Sequence, residues 1–140
     1  MNEDAVELWL QKADADMKIG KDEMKTDEPV TDMVCFHMQQ CCEKYLKAFL
    51  IFCGREYPRK HDLGFLIELC AEVDEQFKRL LGWGVSELTD YATTLRYSEE
   101  FYTPSRRETE EAIELAEKVR EFVSGRFKAA GFEPKRRRPT

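Results

Sequence analysis

Five polar side chains on one helix-forming stretch, residues 35–53, carry the chemistry of this chain: His37, Gln40, Glu43, Lys44 and Lys47. Gln40, Glu43, Lys44 and Lys47 fall three or four residues apart, which on a helix makes a continuous polar ridge. An amide, a carboxylate and two ammonium groups in that order can hold a polar ligand, or they can tie the helix to its neighbours. Asp16 and Arg96 are the charged counterparts for the second use, and a buried Glu43–Arg96 pair would be bidentate and structural. His37 either faces a ligand or packs at the core edge, hydrogen-bonded to another helix. Lysines on a helix flank are ordinarily solvated. The set suits a ligand pocket and a polar dimer interface equally.

Metal chemistry has one foothold here. His37 and Cys41 stand at i and i+4 on a shared face, as two ligands should, but no second ligand pair follows and His61 is the other histidine of the chain. No metal and no cofactor are expected. The five cysteines (Cys35, Cys41, Cys42, Cys53, Cys70) are an odd number, and four of them belong to one helix pattern. Neighbours on one helix do not make a disulfide framework, so they read as reduced thiols filling a core.

The ridge must be positioned by the helix that bears it and by that helix's partners. Val34, Met38, Cys41, Cys42, Tyr45, Phe49 and Phe52 form a wide apolar stripe beside it, on a helix capped at Thr31 or Asp32 and stopped at Gly54. Upstream, residues 3–25 place Val6, Leu8, Trp9, Ala13, Asp16, Met17 and Ile19 on or near one face, ended by Glu28 and Pro29. Residues 55–60 read as a loop, after which Asp62 caps a third helix through Leu63, Leu66, Ile67, Cys70 and Val73, with a break near Asp74.

Gly82 and Gly84 punctuate the chain before a fourth helix starting near Ser86, with residues 101–104 as its exit. Ser105 with Glu108 is a capping-box signature for a fifth, amphipathic through Ile113, Leu115, Ala116, Val119, Phe122 and Val123. The fold expected is all-α, a five-helix, mostly antiparallel up-and-down bundle. Residues 1–130 form its single domain and residues 131–140 a flexible basic tail.

Composition agrees with one soluble domain: 140 residues, 36% charged and 42% hydrophobic. No apolar run approaches the roughly 18 residues needed to cross a bilayer, and the N-terminus lacks a signal-peptide pattern, so a cytoplasmic protein with no membrane contact is expected. Of 22 Lys+Arg and 28 Asp+Glu, residues 126–140 hold six basic and one acidic, which leaves 16 and 27 in the first 125. So acidic a body is a poor general nucleic-acid surface; contact with RNA or an acidic patch would run through the tail, whose simpler reading is a solvated end broken by Gly131, Pro134 and Pro139.

These residues carry a family resemblance. Residues 35–70, CFHMQQCCEKYLKAFLIFCGREYPRKHDLGFLIELC, resemble the signature of the HEPN domain (higher eukaryotes and prokaryotes nucleotide-binding), whose second helix reads Cys or Ala, Phe, His, any residue, Gln-Gln, then Glu-Lys and Leu-Lys-Ala. His61-Asp62-Leu63 resembles its next landmark. Trp9, Ala13 and Asp16 fit the opening helix, and Leu95-Arg96-Tyr97 resembles a late Arg-Tyr-Pro element with Ser98 in place of the proline. The resemblance extends to about residue 128.

The resemblance implies a five-helix bundle, frequent homodimers, and genes often paired with a minimal nucleotidyltransferase in toxin-antitoxin pairs. It also implies two classes of member: metal-independent ribonucleases and noncatalytic versions that bind nucleotides or proteins. The ribonucleases use an Arg, four to six intervening residues, then a His. Histidine would move the 2′-hydroxyl or leaving-group proton while arginine holds the phosphate.

Arg96 occupies the expected place, but Phe101, Tyr102 and Thr103 stand at the required distances and none is histidine. Arg55 and His61 do have five residues between them, in the loop before the third helix. The expected function is a noncatalytic HEPN module that dimerises and binds a nucleotide or a minimal nucleotidyltransferase. In that reading Gln40 and Glu43 meet a base or ribose, Lys44 and Lys47 a phosphate, and His37 and Arg96 complete the site. The alternative is a ribonuclease toxin built from Arg96, His61 and Tyr102, although a phenol with a pKa near 10 is a poor base at neutral pH. Aromatics between Trp83 and Tyr102, including Tyr91, Tyr97 and Phe101, suggest a dimer interface there, or core packing.

Overall fold

The structure, a computed structural model, describes residues 3–93 and 102–135. Its foundation is a hairpin of α1 (Glu3–Met24) and α2 (Thr31–Phe52). On α1 the buried residues Val6, Leu10, Ala13, Met17 and Gly20 advance by three or four, so one stripe faces the rest of the chain. Leu8 and Ile19, expected on that stripe, lie instead on the opposite arc and are 52% and 51% exposed. The Met38 methyl occupies the space beside Gly20, where a Cβ would lie 2.3 Å from Met38 Cε and displace the end of that side chain.

α2 is buried around most of its circumference because α1, α3 and α5 all pack on it. It starts at a different cap from the expected Thr31 or Asp32. Val30 holds the N-cap position without a side-chain bond, and its N–H donates to the Glu23 carboxylate of α1 at 3.0 Å. At the other end Gly54 adopts φ +70, and the Arg55 N–H closes on the Leu50 carbonyl at 2.8 Å.

α3 (Leu63–Val73) is capped as expected, with the Asp62 side chain accepting from the Phe65 N–H at 3.1 Å. Asp74 then ends α3 and starts a 3₁₀ turn (Glu75–Lys78) by accepting from the Gln76 N–H. Residues 53–62 double back along α2. His61 sits beside Gln39 and Glu43, Cys70 Sγ lies 3.6 Å from the Leu46 carbonyl, and Arg55 pairs with Glu72 at 3.0 Å. Those pairs show α3 advancing in the same sense as α2.

α5 (Arg106–Ala129) does the same, with Thr109 level with Cys35 and Phe127 level with Phe49 and Phe52. Up-and-down alternation among the described long helices is therefore that of α1 against α2, α3 and α5. The reason lies in the connections: residues 25–30 can only turn a hairpin, whereas the longer stretch after Phe52 has the reach to return.

A one-turn α4 (Arg79–Gly82) precedes the place of the expected fourth helix, and beyond Gly84, at φ +80, the described start of that helix is a 3₁₀ stretch (Val85–Tyr91). The rest of that expected helix, residues 94–101, lies outside the described residues. Ser105 caps α5 by accepting from the Glu108 N–H at 3.1 Å. Gly131, at φ +80, folds Phe132 back onto Phe52 and Phe127, so the packed body reaches past residue 130. Among the described residues there is no strand, and no helix is long and apolar enough to cross a membrane.

Candidate functional site

The polar ridge of α2 lies along the seam with α1 and the returning loop. Asp16, buried on α1, accepts from His37 Nδ1 at 2.8 Å and from Lys44 Nζ at 2.6 Å. One α-turn further along, Glu43 accepts from Lys47 Nζ at 2.9 Å, His61 Nδ1 at 2.8 Å and Gln39 Nε2 at 3.1 Å. Each carboxylate thus holds one histidine and one lysine. Gln40 joins the set through Gln39, donating from Nε2 to its Oε1 at 2.6 Å, and Gln39 Nε2 reaches the His61 carbonyl at 3.2 Å.

Gln39 is fully buried and was not among the expected site residues. The signal for it was its place four residues before Glu43 on one face. Asp14 was missed as well: it accepts from the Tyr45 hydroxyl and lies 3.3 Å from Arg120 Nε, tying α1 to α5.

Electrostatics decide how the Glu43 cluster behaves. Burial alone would push the Glu43 carboxyl up, but the hydrogen bonds from Lys47, His61 and Gln39 outweigh it and hold the group below its ordinary value. The ionised carboxylate only accepts, so His61 donates through Nδ1 and turns Nε2 away from Glu43. The His61 side chain is 54% exposed, whereas Glu43 is 5%. Lys47 is held further by aromatic rings, 5.2 Å from the Tyr57 centroid and 5.8 Å from that of Trp9.

The ribonuclease residues are not assembled among the described residues. Arg96 lies outside them, and with it the expected Glu43–Arg96 pair. Arg55 is engaged by Glu72 near the C-terminal end of α3 while His61 precedes its N-terminus, a separation of about 15 Å along a helix of that length. Tyr102 is exposed and donates to Glu108 Oε1 at 2.5 Å, and Tyr91 donates to Glu108 Oε2 at 2.6 Å. Glu108 is level with Cys35, about 12 Å along the α2 axis from Glu43.

The aromatics suggested as an interface are used within the chain where they are described. Trp83 packs edge-on against Phe122, and Tyr91 is bound to Glu108. Tyr97 and Phe101 lie outside the described residues.

Burial disfavours the thiolate form of the cysteines. Cys35, Cys41, Cys42 and Cys70 are buried and Cys53 is half-buried; burial pushes the Cys35 thiol up to about 11 and Cys41 well above its ordinary value. His37, the other half of the possible metal pair, has Nδ1 committed to Asp16. Among the described residues no group of three His, Cys, Asp or Glu is placed to hold a metal.

Comparison with known proteins now adds the family. The HEPN domain family matches residues 6–126. The crystal structure of an archaeal HEPN homologue has the same fold, with a TM-score of 0.65 and 24% identity over 86% of this chain and 96% of that one. No curated protein sequence matches the chain. The seam described above falls within the matched residues, and the chain belongs to the HEPN domain family.

Proposed function

We propose that this chain is a noncatalytic HEPN module that dimerises and binds a minimal nucleotidyltransferase or a nucleotide, and does not turn over RNA. One observation supports this above the others: both histidines of the chain and both ridge lysines are held by two buried carboxylates, Asp16 and Glu43. A lysine already paired with a buried carboxylate organises the body and is not free to hold a phosphate. A nucleotide phosphate would have to draw Lys44 from Asp16 or Lys47 from Glu43, at the cost of a buried ion pair, so a protein partner is the stronger of the two binding options. Pairing with a nucleotidyltransferase in a toxin-antitoxin-like system is what the family resemblance adds. Buried reduced thiols favour a cytoplasmic setting.

A ribonuclease is the second reading, and the Glu43–His61 pair favours it. An exposed imidazole oriented by a buried carboxylate is the arrangement of a general base. Against it stands the sequence after Arg96, which has no histidine at the required spacing, and the distance of Arg55 from His61.

Three measurements test the proposal. Purified protein should leave RNA intact without metal; metal-independent cleavage abolished in His61→Ala or Arg96→Ala would install the ribonuclease reading. Titration calorimetry with ATP and other nucleotides decides the nucleotide option, with no heat expected if the partner is a protein. Co-purification with a nucleotidyltransferase encoded beside this chain would identify that partner.

A further inference from the structure

α1 has a second stripe, on the face turned away from the core. Leu8, Lys12, Ala15, Ile19 and Asp22 succeed one another on α1 by alternating steps of four and three, the a and d spacing of a helix that pairs with another, and Thr26 stands in the turn just past the end of α1 at Met24. Leu8 and Ile19 on this face are each about half exposed. Beside Ile19 a groove of about 520 Å³ opens at the end of the hairpin, floored by Gly20, Met33 and Val34 and walled by Thr26 and Val30. Val30 is itself 50% exposed. Leu8 cannot fill this groove in its own chain, since it stands twelve residues, about 18 Å, from Gly20 along α1.

We propose that α1 pairs antiparallel with α1 of a second copy through this outer face, each Leu8 entering the other copy's groove. The inference rests on the dimerisation proposed above and names its surface. Centring the two-fold at Met17 brings six layers together, made of three kinds of contact. Leu8 meets Thr26 at the mouth of the groove, Lys12 meets Asp22, and Ala15 meets Ile19; each contact occurs twice, as an isologous interface requires.

Charge selects this arrangement. A parallel pairing would stack Lys12 on Lys12 and Asp22 on Asp22, and would leave both grooves empty of Leu8. Asp22 is already held by Lys18 on its own helix at 2.6 Å, so in the dimer its carboxylate would lie between two ammonium groups. Ala15 against Ile19 lets the helices approach closely at the centre. Two heptads make a small interface, which places the pairing in the weaker range of specific association.

Sedimentation of the full chain across micromolar concentrations tests this. Wild type should dimerise, Lys12→Glu and Asp22→Lys should each weaken the dimer by about tenfold or more, and the double variant should restore it. All four positions of the exchange are exposed, and helicity by circular dichroism confirms that each variant is folded. A dimer that neither single substitution weakens would overturn the α1 pairing while leaving dimerisation in place. A wild-type monomer would remove both. As a geometric check, the Leu8→Cys/Thr26→Cys variant should form a covalent dimer on oxidation, because within one chain Leu8 lies about 24 Å along α1 from the helix end that precedes Thr26. Failure to cross-link would contradict the register.

Discussion

Glu43 and Glu108 are both carboxylates gripped by several side chains, yet they stand in opposite surroundings. Glu43 is inside the body, with a lysine, a histidine and an amide directed at it from α2 and the returning loop. Glu108 is at the start of α5, held by two neutral phenols, Tyr91 and Tyr102, which flank residues 94–101 in the sequence. Burial pushes the Glu108 carboxyl up, but hydrogen bonds from the Tyr102 and Tyr91 hydroxyls and from the Ser105 backbone N–H together hold it below its ordinary value. The first carboxylate joins elements that are already packed, so its loss strands the buried Lys47 ammonium. The second joins Tyr91 and Tyr102 at the start of α5, where water can replace what is lost.

Substitution should expose that difference in size. Glu43→Ala leaves the buried Lys47 ammonium without its carboxylate and should cost about 3 to 5 kcal/mol in urea denaturation. Glu108→Ala should cost under about 1 kcal/mol, because its surroundings are partly solvated. Equal losses at the two positions would break the comparison.

Acid should reach the seam by the same logic. Glu43 titrates below its ordinary value in the folded chain, so its contribution is complete above the unfolded value of about 4.3 and is lost as pH falls through the folded one. Stability should therefore drop on acidification below about pH 4.3, and Glu43→Gln should flatten that drop while lowering stability at neutral pH. A Gln variant with an unchanged acid limb would assign the acid sensitivity elsewhere.

A smaller effect concerns the thiols. A disulfide reagent should modify half-buried Cys53 first, and the four buried thiols only as the chain unfolds. Rapid reaction of Cys35 or Cys41 in the native protein would contradict their burial.

The slightest change belongs to the surface tyrosine. The hydrogen bond to Glu108 raises the Tyr102 phenol, with burial and charge repulsion from the carboxylate adding to it, so Glu108→Ala should let Tyr102 ionise at lower pH in an ultraviolet titration. An unmoved titration would mean that the bond does not persist in solution.

Much of this architecture was legible in the residues. The apolar run of α2, the Asp62 and Ser105 caps, Gly54 as a stop and the cysteines as core filler all follow from local spacing and side-chain chemistry. Leu8 and Ile19 were assigned to the wrong side of α1 because a broad apolar set was read as one face, when Leu10 completes the true stripe and those two lie opposite. The direction of α3 was not readable, since a loop of that length permits a hairpin or a return. The described start of the expected fourth helix is a 3₁₀ stretch entered from Gly84 in a left-handed conformation, and the tighter turn is not encoded in side-chain spacing.

At the site, the ridge was visible as spacing, but its partners were not. His61 reaches Glu43 only because the loop doubles back, a long-range outcome that periodicity does not encode. Gln39 was passed over because an uncharged amide is ordinarily exposed, and its full burial follows from the acceptor that Glu43 and the His61 carbonyl make for it.

The central claim is that the two acid, histidine and lysine clusters organise the body and do not perform catalysis. An RNA-cleavage assay without metal, run on wild type and on His61→Ala, tests it most directly. The account predicts no cleavage by either protein. Cleavage by wild type that disappears in a folded His61→Ala variant would contradict it.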